Sequence, residues 1–205
     1  LSGVLDACEA AHYSMMMRPI DHASRTHVEV LADSVAQYAP DGLILTPPLT
    51  DDVALLEKLE ALNVRYASIS PREKNARLGA RLDERRAVRE MMAHIVSLGH
   101  RRIAHIKGHR DHGAAEGRRN AYKDWLGAAG IEYDKALVLP GEFSFESGVA
   151  GAKALLSMKS PPTAIFAAND DTAAGVMHVA AERGLRIPRD LSVFGLDDLP
   201  MARQL

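Results

Sequence analysis

Short apolar runs alternate with segments of helical period along the entire chain, and few architectures accommodate that alternation. The runs at 13–18 (YSMMMR), 42–46 (GLILT), 65–69 (RYASI), 102–107 (RIAHIK), 136–139 (ALVL), 164–167 (AIFA) and 192–194 (SVF) read as strands. Several are too apolar to leave one face in water, which is the signature of parallel strands covered on both sides. Between them lie amphipathic segments. Val88, Met91, Met92, Ile95 and Val96 fall at helical spacing and form one apolar stripe, which Gly99 closes. The same pattern predicts helices over 53–62, over 121–129 closed by Gly130, and over 171–183 closed by Gly184. Strand–helix alternation of this kind implies βαβ crossovers in an α/β fold, a doubly wound and mainly parallel sheet with helices on both faces.

The rhythm breaks at 71–81 (PREKNARLGAR), which is charged and weakly periodic. That stretch reads as a crossover and divides the chain into an N-terminal lobe, 1–82, and a C-terminal lobe, 83–205. The length of 205 residues suffices for two modest lobes, each with its own core. Aromatic residues are only 5 % of the chain, so those cores must be built from Ala, Leu, Val, Ile and Met. A formal charge of −2 gives no sign of a nucleic-acid-binding surface, since DNA affinity comes mainly from neutralising phosphates with clustered cations, so these residues alone are expected to bind DNA poorly. Cys8 is the single cysteine, which excludes an intrachain disulfide and suits a reducing cytoplasm. No apolar run is long enough to span a bilayer.

Enzyme motifs are absent: the sequence has no G-x-G-x-x-G after a strand, no Walker-type phosphate loop, no G-x-S-x-G elbow and no H-E-x-x-H. His109 and His112 form an H-x-x-H without a third ligand placed to complete a metal site, and they read as loop histidines. Polar residues do gather after three strands, where doubly wound sheets bind ligands. They are Arg118, near the start of the helix after RIAHIK, the triplet Asn169, Asp170 and Asp171 after AIFAA, and the pair Asp197 and Asp198 after SVFGL. Each has an ordinary structural explanation, as a cap, a turn residue or a solvated side chain. Together they offer a guanidinium, a carboxamide and a carboxylate to a polyhydroxylated or heterocyclic ligand.

Four blocks, in order and at matching separations, resemble the LacI/GalR family of bacterial transcription regulators. They are LGHRRIAHIKG (98–108), Arg118 with Tyr122, PPTAIFAANDDTAAGVM (161–177) and GLRIPRDLSVFGLDD (184–198). Weaker similarity covers DGLILTPP (41–48) and ARLDERRAVREM (80–91). The resemblance implies a periplasmic-binding-protein-like (type I) pair of lobes with an effector in the cleft between them. It implies that Arg118 clamps the effector, that Asn169 and Asp197 hydrogen-bond to it, and that Phe143 supplies a flat apolar wall. His112 and, from the first lobe, Ser70 would add contacts, whereas Tyr122 and Trp125 belong to the core.

It further implies a cytoplasmic homodimer with no cofactor, whose small-molecule effector changes affinity for operator DNA. The DNA-binding headpiece, the first strand and the last crossovers of the family are expected to lie outside these residues. His12 stands where many relatives have Gly at a helix end. Two other readings stay open: a periplasmic sugar receptor of the same fold, and an enzyme acting on a sugar or nucleotide, for which Asp197 and His112 would have to supply acid–base chemistry without a nucleophile or metal set.

Overall fold

The computed structural model describes residues 2–72 and 78–204. Its elements run α1 (Ser2–Ala10), α2 (His27–Tyr38), β1 (Leu43–Leu45), α3 (Val53–Ala61), β2 (Tyr66–Ile69), β3 (Gly79–Ala80), α4 (Glu84–Ser97), β4 (Ile103–Ile106), α5 (Gly113–Ala128), β5 (Val138–Leu139), α6 (Phe145–Leu156), β6 (Ala164–Ala167), α7 (Asp170–Glu182) and β7 (Ser192–Phe194). Packing divides the chain into two compact units, Leu1–Leu43 with Asp52–Arg65, and Ile44–Asp51 with Tyr66–Leu205. The strands form two sheets, one of order β1-β2-β3 and one of order β5-β4-β6-β7. Of the segment anticipated as a crossover, residues 73–77 lie outside the described residues.

In the first unit, α2 and α3 are tied by a charged contact. Asp52 caps α3 by accepting from the Leu55 amide, and its second oxygen lies 2.5 Å from Nε2 of His27, the first residue of α2. His27 Nδ1 meets the Ser24 carbonyl at 2.7 Å. The run at 13–18 is not a strand: Tyr13, Met15, Met16 and Met17 are exposed, and no described backbone group pairs with residues 14–19. β propensity does not make a strand without a neighbouring ladder. His12, which closes α1, does adopt the positive φ (59°) that a glycine would take there.

The four-stranded sheet of the second unit is parallel throughout, with Ile103–Ile106 of β4 in register with Ala164–Ala167 of β6. β4 and β6 are buried at every position, yet their side chains still alternate between two cores. Ile103, Ala164 and Phe166 pack with Val88, Met92 and Ile95 of α4 and with Ala121, Tyr122 and Leu126 of α5. Ala104, Ile106 and Ile165 pack on the other face with Ala152 and Leu155 of α6 and with Val176, Val179 and Ala180 of α7. Helices α4, α5 and α7 stop where Gly99, Gly130 and Gly184 take positive φ, as their sequences predict.

Helices α6 and α7 meet backbone to backbone. A Cβ on Gly148 would lie 2.2 Å from the Thr172 carbonyl oxygen, and one on Gly175 would lie 2.2 Å from that of Phe145. The apolar run at 136–139 is only half strand: Lys135–Leu137 forms a 3₁₀ turn, because the Asp134 carboxylate captures the Ala136 amide, and β5 begins at Val138. Within this unit His100, from the GHRRI block, bridges Thr163 (2.9 Å) and Ser192 (3.0 Å) at the N-terminal ends of the strands. That histidine has a structural task far from the sheet's carboxyl edge.

Candidate functional site

The order β5-β4-β6-β7 makes the chain leave β4 toward one edge of the sheet and leave β6 toward the other. The carboxyl ends of β4 and β6 therefore flank a topological switch point, where open α/β sheets offer a crevice. Arg118 of α5 sits there, only 5 % exposed. Its Nη1 donates to the Ala168 carbonyl at 2.5 Å, just beyond β6. Nε and Nη2 donate to the two carboxylate oxygens of Glu84 at 2.6 and 3.1 Å, and Nη2 lies 3.6 Å from Asp197 Oδ1. The guanidinium carbon stands 5.5 Å from the centre of the Phe143 ring. Three of the five guanidinium N–H donors are thus engaged by Glu84 and Ala168, and the other two remain on Nη1 and Nη2.

Each neighbour is placed by a specific local cause. Asp197 follows β7 with φ of 115°, a backbone that carries its carboxylate back toward Arg118, and its side chain is 36 % exposed. Burial pushes this carboxyl up from its ordinary pKa. Arg118 opposes that rise, while Asp170, Glu84 and Asp171 add to it. Phe143 also has positive φ (58°) and lies in the loop before Ser144, which caps α6. Its ring occupies the space above Gly108, where a Cβ would meet ring atoms at 2.1–2.4 Å. Only glycine lets the loop after β4 pass beneath that ring.

Asn169 is both a cap and a member of the group. Its Oδ1 accepts from the backbone and the hydroxyl of Thr172 (3.0 and 2.7 Å), in the first turn of α7, and its Nδ2 donates to the Phe143 carbonyl at 3.2 Å. His112 occupies the N-cap position of α5, with its ring centre 5.4 Å from that of Phe143. Arg118, Phe143, Asn169, Asp197 and His112 are therefore joined by direct or one-step contacts at one sheet edge. Ser70, with φ of 49°, lies apart from that group. It lines an adjoining groove of about 610 Å³ with Arg72, Arg81, Glu84, Gly113 and Ala114 among others, and Glu84 connects the groove to Arg118. Tyr122 is fully buried, its hydroxyl donating to the Ile103 carbonyl at 2.7 Å, and Trp125 packs on the same core.

Residues 92–205 match the family model of the periplasmic binding protein-like domain. The ribose operon repressor of Haemophilus influenzae is 39 % identical over 111 residues, 54 % of this chain and 33 % of that protein. A LacI family transcriptional regulator from Mycobacterium smegmatis superposes with a TM-score of 0.87 at 28 % identity, covering all of this chain and 74 % of that one. The chain belongs to the LacI/GalR family. A complex of the regulator CelR with cellobiose superposes with a TM-score of 0.84 at 31 % identity, covering 96 % of this chain and 60 % of that one. The matches to the first curated LacI/GalR relatives span only about a third of those proteins' length (33–34 %).

The periplasmic-binding-protein-like (type I) α/β fold, with parallel sheets and covering helices, is thus established, and the relatives are transcriptional regulators rather than enzymes. Sequence reading missed Glu84, the residue that engages most of the Arg118 fork. A buried arginine demands a carboxylate, but within LDERR nothing distinguishes Glu84 from its solvated neighbours.

Proposed function

We propose that this chain is the effector-sensing domain of a LacI/GalR-type transcription regulator, and that its effector is a small sugar-like or purine-like molecule. The observation that carries this reading is the arginine at the switch point, held by Glu84 and Ala168 with an open carboxylate and an aromatic ring beside it. Arg118 and Asp197 supply donors and acceptors to ligand hydroxyl or ring-nitrogen groups, Phe143 an apolar face, and Asn169 and His112 the edges; Ser70 contacts the ligand from the adjoining groove. The first lobe is residues 1–82 and the second 83–205: β1–β3 precede that boundary and β4–β7 follow it, whereas packing alone joins Ile44–Asp51 and the stretch from Tyr66 onward to the second unit.

In this reading the protein is a cytoplasmic homodimer that works without a cofactor and performs no chemistry on its effector. Operator DNA is bound by a headpiece outside these 205 residues. The names of the relatives, a ribose operon repressor and a cellobiose-bound regulator, support a carbohydrate or a related compound. Among the described residues no helix is long and apolar enough to cross a membrane. The GHRRI and SVFGLDD blocks favour the regulator over a periplasmic receptor of the same fold.

The test is effector titration against operator binding in the intact protein, wild type and Asp197→Asn. Asparagine has nearly the shape of the aspartate that already holds this positive φ, so the substitution removes charge with little change in the turn. The effector midpoint should rise at least about tenfold, roughly 1.4 kcal/mol, while operator affinity without effector stays the same. An unchanged midpoint removes Asp197 from the site, and turnover of the effector overturns the non-enzymatic reading.

A further inference from the structure

The charge around Arg118 decides what kind of ligand this site accepts, an inference that rests on the effector-binding reading above. Glu84 grips the guanidinium through both carboxylate oxygens, at 2.6 and 3.1 Å, and the pair is nearly dry, with side-chain exposures of 7 % and 16 %. The positive charge of Arg118 is therefore already matched before any ligand arrives. Asp197 adds a second carboxylate at 3.6 Å, and Asp170 and Asp171 stand close enough to act on it electrostatically. Arg72 and Arg81 line the neighbouring groove but are exposed, so water and salt screen them. Arg85 in the same groove is paired with Asp124.

We propose that Glu84 sets both the orientation and the charge of the Arg118 clamp, so that the site selects an uncharged, hydroxyl- or amide-rich effector and rejects the phosphorylated or carboxylate form of the same molecule. Glu84 is a specificity-determining, positioning residue that acts through Arg118. The two remaining guanidinium donors, on Nη1 and Nη2, suit neutral oxygen or nitrogen acceptors, and the Asp197 carboxylate accepts from a ligand O–H or N–H. A phosphate brought to this place would face the Glu84 and Asp197 carboxylates across a single guanidinium. In a partly dehydrated site, like charges at such distances repel strongly.

The experiment uses matched pairs that differ mainly in charge: D-ribose and D-ribose 5-phosphate, D-glucose with D-gluconate and D-glucose 6-phosphate, and hypoxanthine and inosine 5′-monophosphate. Thermal shift and calorimetric titration of the intact protein are read as the affinity ratio within each pair. In wild type, the uncharged member of the pair that binds should be at least tenfold tighter than its anionic partner. Glu84→Gln keeps an acceptor for Arg118 but removes the charge, and should narrow that ratio by improving the anionic member. Glu84→Asp keeps the charge at a shorter reach, and should weaken both members while preserving the ratio.

An anionic member that binds wild type as tightly as its neutral partner overturns the proposal and leaves the effector reading standing. A ratio unchanged in Glu84→Gln removes Glu84 from selectivity. If no member of any pair binds wild type or variants, the effector reading itself fails and the proposal falls with it.

Discussion

Arg118 carries more of the fold than a ligand clamp needs to. The sequence reads Arg118 as a solvated side chain or an effector clamp, but here it is buried and is the partner of Glu84. Removing one member of a buried pair strands the other, a defect that typically costs about 3–5 kcal/mol. Arg118→Ala should therefore lower the urea midpoint sharply, and adding Glu84→Gln should recover part of the loss. Strict additivity in this double-mutant cycle would show that the pair is not coupled.

His105 makes the opposite case, a polar residue whose charge the core refuses. It is fully buried, stacked 4.4 Å from Phe166, with Nδ1 3.0 Å from the Phe166 carbonyl and, among the described residues, no partner at Nε2. Burial, aided by Lys107, Arg118 and Arg119, brings its pKa from 6.5 down to about 4. Between those values the unfolded chain binds the proton and the folded one does not. Stability is thus full above about pH 6.5 and falls as the pH drops toward 4, by roughly 3 kcal/mol in all. His27 has the reverse sign. The Ser24 carbonyl and then Asp52 raise its pKa, so its contribution is complete below about 6.5 and fades as the pH rises through the raised value. Urea titrations at pH 7 and pH 4.5 should show a loss that His105→Gln largely abolishes. A loss of equal size in the variant would assign the acid sensitivity to other groups.

Helices α6 and α7 show how two elements can depend on atoms that are absent. Gly148 and Gly175 lie at their crossing, and the nearest obstacles to a Cβ there are backbone oxygens, which cannot rotate away. Gly175→Ala should force the helices apart at a cost of about 1–3 kcal/mol, even though alanine is the better helix former. Because Asn169 caps α7 and α6 follows Phe143, the displacement should also weaken effector binding. A gain in stability on denaturant titration would count against a tight crossing.

The same elements mark how far the sequence was legible. β6, β7 and the glycine stops of α4, α5 and α7 follow directly from apolar runs and local punctuation. The run at 13–18 has the composition of a strand but lacks a ladder, a fact that belongs to its neighbours and not to its own residues. Arg118, Asn169 and Asp197 could be picked out because each follows a strand end. Glu84 could not, because its role arises when α4 is brought beside α5, 34 residues away in sequence.

For the whole molecule, the reading as a regulator makes a demand that local contacts cannot satisfy by themselves. If the effector alters operator affinity, it must bind one state of the protein better than the other, and the shift cannot exceed that difference. Linkage then requires reciprocity: the factor by which effector changes operator affinity equals the factor by which operator changes effector affinity. With intact protein, operator affinity should be measured with and without saturating effector, and effector affinity with and without saturating operator DNA. The two ratios should agree, within a range of about 5–150-fold for a typical coupling of 1–3 kcal/mol.

Asp197→Asn should move the effector midpoint in both DNA-bound and free protein by similar factors and leave the coupling ratio nearly intact, because it removes a ligand contact and not the conformational difference. Charge supports the division of labour. With a formal net charge of −2, the 205-residue segment should make few phosphate contacts, so the steep salt dependence of operator binding should vanish when the segment is assayed alone. Tight, salt-sensitive, sequence-specific binding by the segment itself would place the DNA contact here and refute the separate headpiece. Unequal coupling ratios would show that the effector acts on operator binding by some route other than a shift between two states.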